Sequence, residues 1–472
     1  MPIGVDEWVA QSGDRRDTGT GWRRFLSKAD ARVGWWPRLA IALLVGLIFG
    51  QLSLNVNIET VAVNSLIYAI LAIGLNIAVG WAGLLDLGYV AFFGFGAYGY
   101  AIFSSSALGS GGSGGTHLPA IQSFPIVLVW AGVVVALIGL VSLRVSGDYL
   151  AIVTLFVGQA FMEIVNNVDT GTLGGVNGLF GLDPIHSFGG SILTPNGYYY
   201  LALLVTVALL ALLHLLDDSR TGRGWRAVRE DELAAEAMTV PVGALKVMAI
   251  SFGAIVGALA GAIFAAQQDN VFPTNFTANV LILIYACLVL GGAGSLAGAV
   301  LGGIVVTAGE QMVSSPTDAG YLFYGLILVA LIVKVRPWRL LGAVLAATAV
   351  LGIALHAIVG AISASATAGP AGSGGWIGSV VRHWVIVPTK AAGYGNILYI
   401  VLICAVFAIV RVPSRYRPFA LVPTLYVAAC CWESRLVVNP SITAQILVGA
   451  ILIAMMAARP QGLLGTMRVE VV

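Results

Sequence analysis

Apolar runs long enough to cross a bilayer recur along nearly the whole of this 472-residue chain, with short connections between them. A helix of about 20 apolar residues spans the hydrocarbon core. Bounded by charge or by Gly, Pro and Ser clusters, the runs number about fourteen: 37–54, 58–80, 86–105, 123–143, 148–166, 197–216, 245–266, 278–291, 295–309, 320–335, 340–361, 394–411, 417–432 and 441–458. Segments 278–291 and 295–309 are short for straight spans, which leaves kinked or re-entrant helices open. The charged fraction agrees: 10% of residues, where a soluble domain carries about a quarter. The fold class predicted is all-α, a polytopic integral membrane protein with about 10–14 transmembrane helices.

Lys and Arg collect on cytoplasmic loops, and they test the count of spans. With the N-terminus inside, the inner connections hold Arg144, the group Arg220, Arg223, Arg226, Arg229 and Lys246, then Lys334, Arg336, Arg339, Arg411, Arg415, Arg417, Arg459 and Arg468. The tail adds Arg15, Arg16, Arg23, Arg24, Lys28, Arg32 and Arg38, so that 21 of the 24 basic residues fall inside. Arg382, Lys390 and Arg435 are the exceptions. Both termini are therefore predicted to be cytoplasmic, and the charged tail of over thirty residues before the first run gives no sign of a cleavable signal peptide. The outer loops 104–120 and 364–379 are uncharged apart from His117 and rich in small residues, which reads as flexible linker.

Motifs for chemistry are missing. The chain has no GK dipeptide and hence no Walker A phosphate loop, and no HExxH or CxxC. No catalytic residues, metal or cofactor are expected. A net charge of +2 without a basic run interleaved with aromatics points to no nucleic acid. Cys287, Cys404, Cys430 and Cys431 all lie in or beside apolar segments and read as packing residues. GFGAYG at 94–99 fits a dinucleotide pattern literally, but it sits inside a span with no strand before it and reads as close helix packing. Gly253, Gly257 and Gly261, and Gly294, Gly298 and Gly302, form two further ladders of the same kind. Ionisable residues within or beside the spans are Asp86, Glu163, Glu310, His214 and His356. Each is costly in lipid, and two readings stand: snorkelling to an interface or a place in a conduction path.

One stretch breaks the apolar pattern: GRGWRAVREDELAAEAMTV at 222–240, with Arg223, Arg226, Arg229, Glu230, Asp231, Glu232 and Glu236. Its spacing suits a cytoplasmic helix with Arg226–Glu230 and Arg229–Glu232 pairs. Either it is a solvated helix that obeys the charge rule, or Trp225, Val228, Leu233 and Met238 make it a docking surface for another protein.

Four stretches together resemble the membrane permease subunit of branched-chain amino acid ABC importers: LNIAVGWAGLLDLGYVAFFGFGAYGYA (75–101), LRVSGDYLAIVTLFVGQ (143–159), GRGWRAVREDELAAEAM (222–238) and LGGAGSLAGAVLGG (290–303). RPQGLLG (459–465) is similar to the usual close of such subunits. The resemblance implies a non-catalytic subunit in a prokaryotic plasma membrane, paired with a second related permease, two cytoplasmic ATP-binding subunits and an external solute-binding protein. It implies that 222–238 is the coupling helix, with Arg226, Arg229, Glu230, Asp231 and Glu232 meeting the ATPase. Candidates for the translocation path are Asn76, Gly83, Asp86, Gly88, Tyr89 and Phe93.

Three departures stand out. Asp86 occupies a position usually small or apolar in such subunits, which bears on substrate. The coupling helix lacks its usual final Gly, a natural left-handed cap, and continues Thr239-Val240-Pro241 instead. Finally, 324–342 already looks like a family ending, and 448–465 looks like one again. The division is thus a tail (1–36), a permease domain (37–342) with its coupling helix at about 222–240, and extra spans (343–472), duplicated or inserted. Permeases for urea or short amides remain a close alternative. A self-sufficient secondary transporter or channel using Asp86, Glu163 or Glu310 as a proton relay is the rival from another class, though no inverted repeat supports it.

Overall fold

The computed structural model describes residues 34–52, 56–105, 117–142, 148–168, 173–187, 190–192, 194–314, 316–334, 338–370, 373–388, 391–411 and 417–438, with isolated positions between 446 and 464. Most of the tail, of the last expected span and of the closing RPQGLLG lies outside these residues. Each of the other apolar runs contains a helix. In chain order these are α1 (Trp35–Gln51), α2 (Val56–Leu75), α3 (Tyr89–Phe103), α4 (Ala120–Ser142), α5 (Asp148–Asn167) and α6 (Pro195–Asp217). The charged stretch forms α7 (Arg220–Glu230) and α8 (Glu232–Ala237). Then come α9 (Val242–Gln268), α10 (Ala278–Gly291), α11 (Leu296–Ser314), α12 (Pro316–Lys334), α13 (Trp338–Ile362), the short α14 (Gly375–Val381), α15 (Ala391–Arg411) and α16 (Arg417–Val438). Seven of the described helices are long and apolar enough to cross a membrane, and shorter apolar helices accompany them.

The core is built around α2, α3 and α9. Lipid offers no hydrophobic drive between helices, so close van der Waals contact through small residues must hold them together. A Cβ on Gly96 of α3 would lie 1.9 Å from the Ala258 carbonyl oxygen, and one on Gly261 of α9 would lie 2.0 Å from that of Phe93. The two backbones meet there. A Cβ on Gly303 of α11 would lie 2.5 Å from the Ala69 Cα of α2, and Cβ atoms on Gly298 and Gly302 would lie 2.5 and 1.9 Å from the carbonyl oxygens of Gly291 and Cys287 on α10. The glycines of GFGAYG thus let α3 pack closely on several neighbours, Gly94 against Phe161 of α5, Gly96 against α9 and Gly99 against Val127 of α4.

At its end α2 widens into a π-helical turn, Asn76–Trp81, which Gly83 closes with a φ of +71°. At this same end of the molecule lie α7 and α8 and the turn 292–295 between α10 and α11. The opposite end is capped by two small sheets. β1 (Leu179–Phe180) pairs antiparallel with β4 (Asn270–Val271), which ties the α5–α6 connection to the one after α9. β2 (His186–Ser187) and β3 (Gly190–Ser191) form a hairpin. Thr194 caps α6 by accepting the Gly197 amide, with Pro195 in the first turn.

The C-terminal helices have a core of their own, with Val381, Val385, Val387, Tyr426, Ala429 and Cys430 buried together. Tyr324 of α12 packs against this cluster. The segment after α14 packs into the helices: Trp384 fills the space over Gly352 of α13, and His356 Nδ1 lies 3.1 Å from the Val385 carbonyl oxygen. Glu433 of α16 is fully buried and accepts three hydrogen bonds, from the Ser373 amide (2.8 Å), the Ser373 hydroxyl (2.6 Å) and the Tyr324 hydroxyl (2.9 Å).

Candidate functional site

The charged stretch is two helices rather than one. Asp231 is extended between them (φ −157°, ψ 111°), and its Oδ1 accepts the Ala234 amide at 3.0 Å to start α8. Ser219 does the same for α7 by accepting the Gly222 amide. The exit is as unusual as its sequence suggests. Thr239 itself takes the left-handed conformation (φ +62°), where the Val240 amide reaches back to the Ala235 carbonyl (3.1 Å). A β-branched residue there is strained.

One face of α7 is bonded to the membrane helices. Trp225 is fully buried, donates Nε1–H to the Leu245 carbonyl at 2.8 Å, and stacks on Trp81 with ring centroids 6.0 Å apart. Val228 is buried beside it. Arg223 donates to the Asp218 carbonyl at 2.7 Å, satisfying the end of α6. Arg226 pairs with the Asp217 carboxylate at 3.1 Å and also donates to that residue's carbonyl. Arg229 donates to the Gly80 carbonyl at the π-turn, and Lys246 of α9 pairs with Glu232.

This geometry divides the predicted coupling set. Arg226, Arg229 and Glu232 are bonded to the membrane domain, Arg226 and Glu232 while staying partly exposed, and those two take partners other than the expected helix neighbours. Trp225 and Val228 point inward, not to a docking partner. What α7 and α8 leave exposed is Glu230, Asp231 and Glu236 with two apolar side chains, Leu233 and Met238, each 77% exposed. Arg223 is exposed beside them. Arg220 at the start of α7 is exposed as well, so the outward face carries both signs of charge around two apolar knobs.

The path candidates sit close by. Asn76 is buried, and its Oδ1 accepts the Gly294 amide at 2.7 Å, which joins the π-turn to the α10–α11 turn. Gly294 lies in that turn, with φ +91°, and not on the α11 ladder where its spacing placed it. Gly83 is exposed and touches Arg229. Asp86 is 2% exposed, and its Oδ1 accepts the Gly88 amide at 3.0 Å, a turn that opens α3. Burial pushes its carboxyl up to about 6, against the lowering effect of bonds from Gly88 and Thr154. Tyr285 donates to the Asp86 carbonyl at 2.6 Å. Gly88 lies against the Thr154 backbone, Tyr89 is fully buried between α2 and α9, and Phe93 packs on Phe264 and Phe276. On α9, Gly253 faces Gly74 and Gly257 faces the Tyr89 ring.

The remaining ionisable residues are dispersed. Glu163 is exposed and accepts from the Asn167 side chain at 2.7 Å, and His214 stacks on Trp35 at 3.8 Å. Glu310 is half-buried in α11. Among the described residues no group of His, Cys, Asp and Glu is arranged to hold a metal ion.

An order of helices, a broken α2 and a short charged helix pair against it can be compared with known proteins. The family described as branched-chain amino acid transport system / permease component matches residues 57–332, from the start of α2 to near the end of α12. The chain belongs to this family. It is similar to the high-affinity branched-chain amino acid transport system permease protein LivM of Escherichia coli (strain K12), 32% identical over 324 residues, covering 64% of this chain and 74% of the relative. The probable branched-chain amino acid transport permease protein LivM of Methanocaldococcus jannaschii is 25% identical, covering 50% of this chain and 75% of the relative. The high-affinity branched-chain amino acid transport system permease protein LivH of Salmonella typhimurium is 27% identical over 168 residues, 35% of this chain and 53% of the relative. No solved structure matches. The chain is an all-α, multi-pass membrane protein of the ABC permease type.

Proposed function

We propose that this chain forms the translocation path of an ABC importer for branched-chain or other small amino acids, driven by separate cytoplasmic ATP-binding subunits that dock on α7 and α8. The observation that carries this reading is the exposed face of those helices: Glu230, Asp231 and Glu236 around Leu233 and Met238, on a base fastened to the membrane helices by Trp225, Arg226 and Arg229. A solvated loop needs no such fastening. Large apolar side chains ringed by charge are what a protein interface presents. The face would lie in the cytoplasm, as the Lys and Arg distribution requires. A second related permease and an external solute-binding protein complete the assembly, and the names of the relatives support the substrate class.

Glu230→Lys with Asp231→Lys tests the docking face. Breaking one side of a desolvated charge pair costs about 2–5 kcal/mol, whereas exposed charges matter within about 0.5 kcal/mol. The double variant should lose co-purifying ATPase while the isolated permease melts close to wild type. Retained ATPase with full transport would leave the stretch as a topology signal. Binding of leucine, isoleucine, valine and urea to the cognate binding protein separates amino acid from amide import.

A further inference from the structure

Arg229 does not belong to the docking face. Its side chain leaves α7 on the inner side, its guanidinium donates to the Gly80 carbonyl, and its Cβ and Cγ lie against Gly83. The same guanidinium reaches Gly294: a Cβ added there would meet Arg229 Nη1 at 3.1 Å. One residue thus touches three places where regular helix is interrupted: the π-turn of α2, the left-handed Gly83 that closes it, and the left-handed Gly294 between α10 and α11. Asn76 Oδ1, accepting the Gly294 amide, joins two of these breaks directly.

Breaks of this kind are where helices change direction at low cost, and π-turns recur at functional sites for that reason. A carbonyl freed by the wide turn also needs a donor, and the guanidinium supplies one with its charge. Trp225 stacked on Trp81, one residue beyond Gly80, fixes α7 against the same turn. A displacement of α7 therefore reaches α2 and the α10–α11 turn through a short, stiff contact.

We propose that Arg229 is a positioning residue that transmits movement of the α7–α8 pair to the π-turn of α2 and the α10–α11 turn, and that it makes no contact with the motor. This rests on the coupling reading above. Its consequence differs from that of the outward acids: loss of Arg229 should leave ATPase binding intact and break the link between hydrolysis and transport.

The test is the complete transporter in proteoliposomes, with labelled leucine uptake and phosphate release measured in the same vesicles. Arg229→Gln should keep the ATPase bound and hydrolysing while leucine moved per ATP falls about tenfold, the scale of one charge-assisted hydrogen bond. Arg229→Lys keeps the charge and one donor and should restore part of the ratio; it also carries the test if the Gln variant folds poorly. A purely structural role would lower melting temperature and yield without changing the ratio. An unchanged ratio in both variants would overturn the proposal, and so would loss of the ATPase from Arg229→Lys. A wild-type chain that holds no ATPase would refute the coupling reading itself, and this inference with it.

Discussion

Gly261→Ala is the sharpest probe of the packing. The added Cβ would lie 2.0 Å from the Phe93 carbonyl oxygen and 2.8 Å from the Ala97 nitrogen, while ordinary contact begins at 3.4 Å. Both obstacles are backbone atoms of α3, so no rotamer change relieves them. The helices must separate by roughly an ångström at their closest approach, which loosens the Phe93, Phe264 and Phe276 cluster beside it. Overpacking costs about 1–3 kcal/mol, sometimes more, against a backbone gain of about 0.5–1 kcal/mol for replacing Gly in a helix. A net loss of about 1–2 kcal/mol is expected. Gly309 of α11, with nothing within 4 Å of its added Cβ, is the control and should show the gain alone. Thermal melting of purified protein, followed by size exclusion, should place Gly261→Ala below wild type and Gly309→Ala at or above it. A Gly261→Ala protein that melts with the wild type would refute the backbone-contact account of α3 and α9.

Other changes follow from the same geometry. Thr239→Gly removes a left-handed β-branched residue and should raise stability by about 1 kcal/mol in chemical unfolding, and a loss instead would mean that the Thr239 hydroxyl bond to the Met238 carbonyl matters more than the strain. Asp86 has its carboxyl raised from 3.8 to about 6, so the folded state binds the proton more tightly. The stability it contributes is present in full below 3.8 and lost as pH rises through about 6, at most about 3 kcal/mol. Wild type should therefore lose melting temperature between pH 4 and pH 7 by more than Asp86→Asn does, and parallel curves would refute the assignment. Glu433→Ala leaves three donors of Ser373 and Tyr324 without their acceptor, at about 1–3 kcal/mol each if they stay buried. Hydrogen exchange over residues 373–388 should rise in this variant, and unchanged protection would show that the carboxylate is not what holds the segment.

The spans were legible because apolar length is a local property. The runs 197–216, 278–291 and 340–361 fall on α6, α10 and α13 within a few residues. The directions of the charges were not. Arg229 and Glu230 are neighbours in a stretch that reads as one amphipathic helix, yet one turns inward to Gly80, 149 residues away in sequence, and the other outward. That choice is made by a carbonyl left free at a π-turn, which no helical spacing announces. The break at Asp231 was hidden for a similar reason: the residue suits a helix surface and a cap equally. Trp225 looked like a docking residue because its burial against Trp81 and Leu245 depends on α2 and α9. Thr239 gave a true signal, since the missing Gly marked the strained exit. Glu433 carried no motif at all, and its meaning comes from Ser373 in a loop of small residues that reads as linker.

Uptake of labelled leucine into proteoliposomes tests the central claim most directly. Vesicles holding this chain with its partner permease, ATPase subunits and binding protein should accumulate leucine only when ATP is supplied on the side of α7 and α8. The chain alone, under an imposed proton or sodium gradient, should accumulate none. Gradient-driven uptake by the isolated chain would contradict the account and return Asp86, Glu163 and Glu310 to the front as a proton relay.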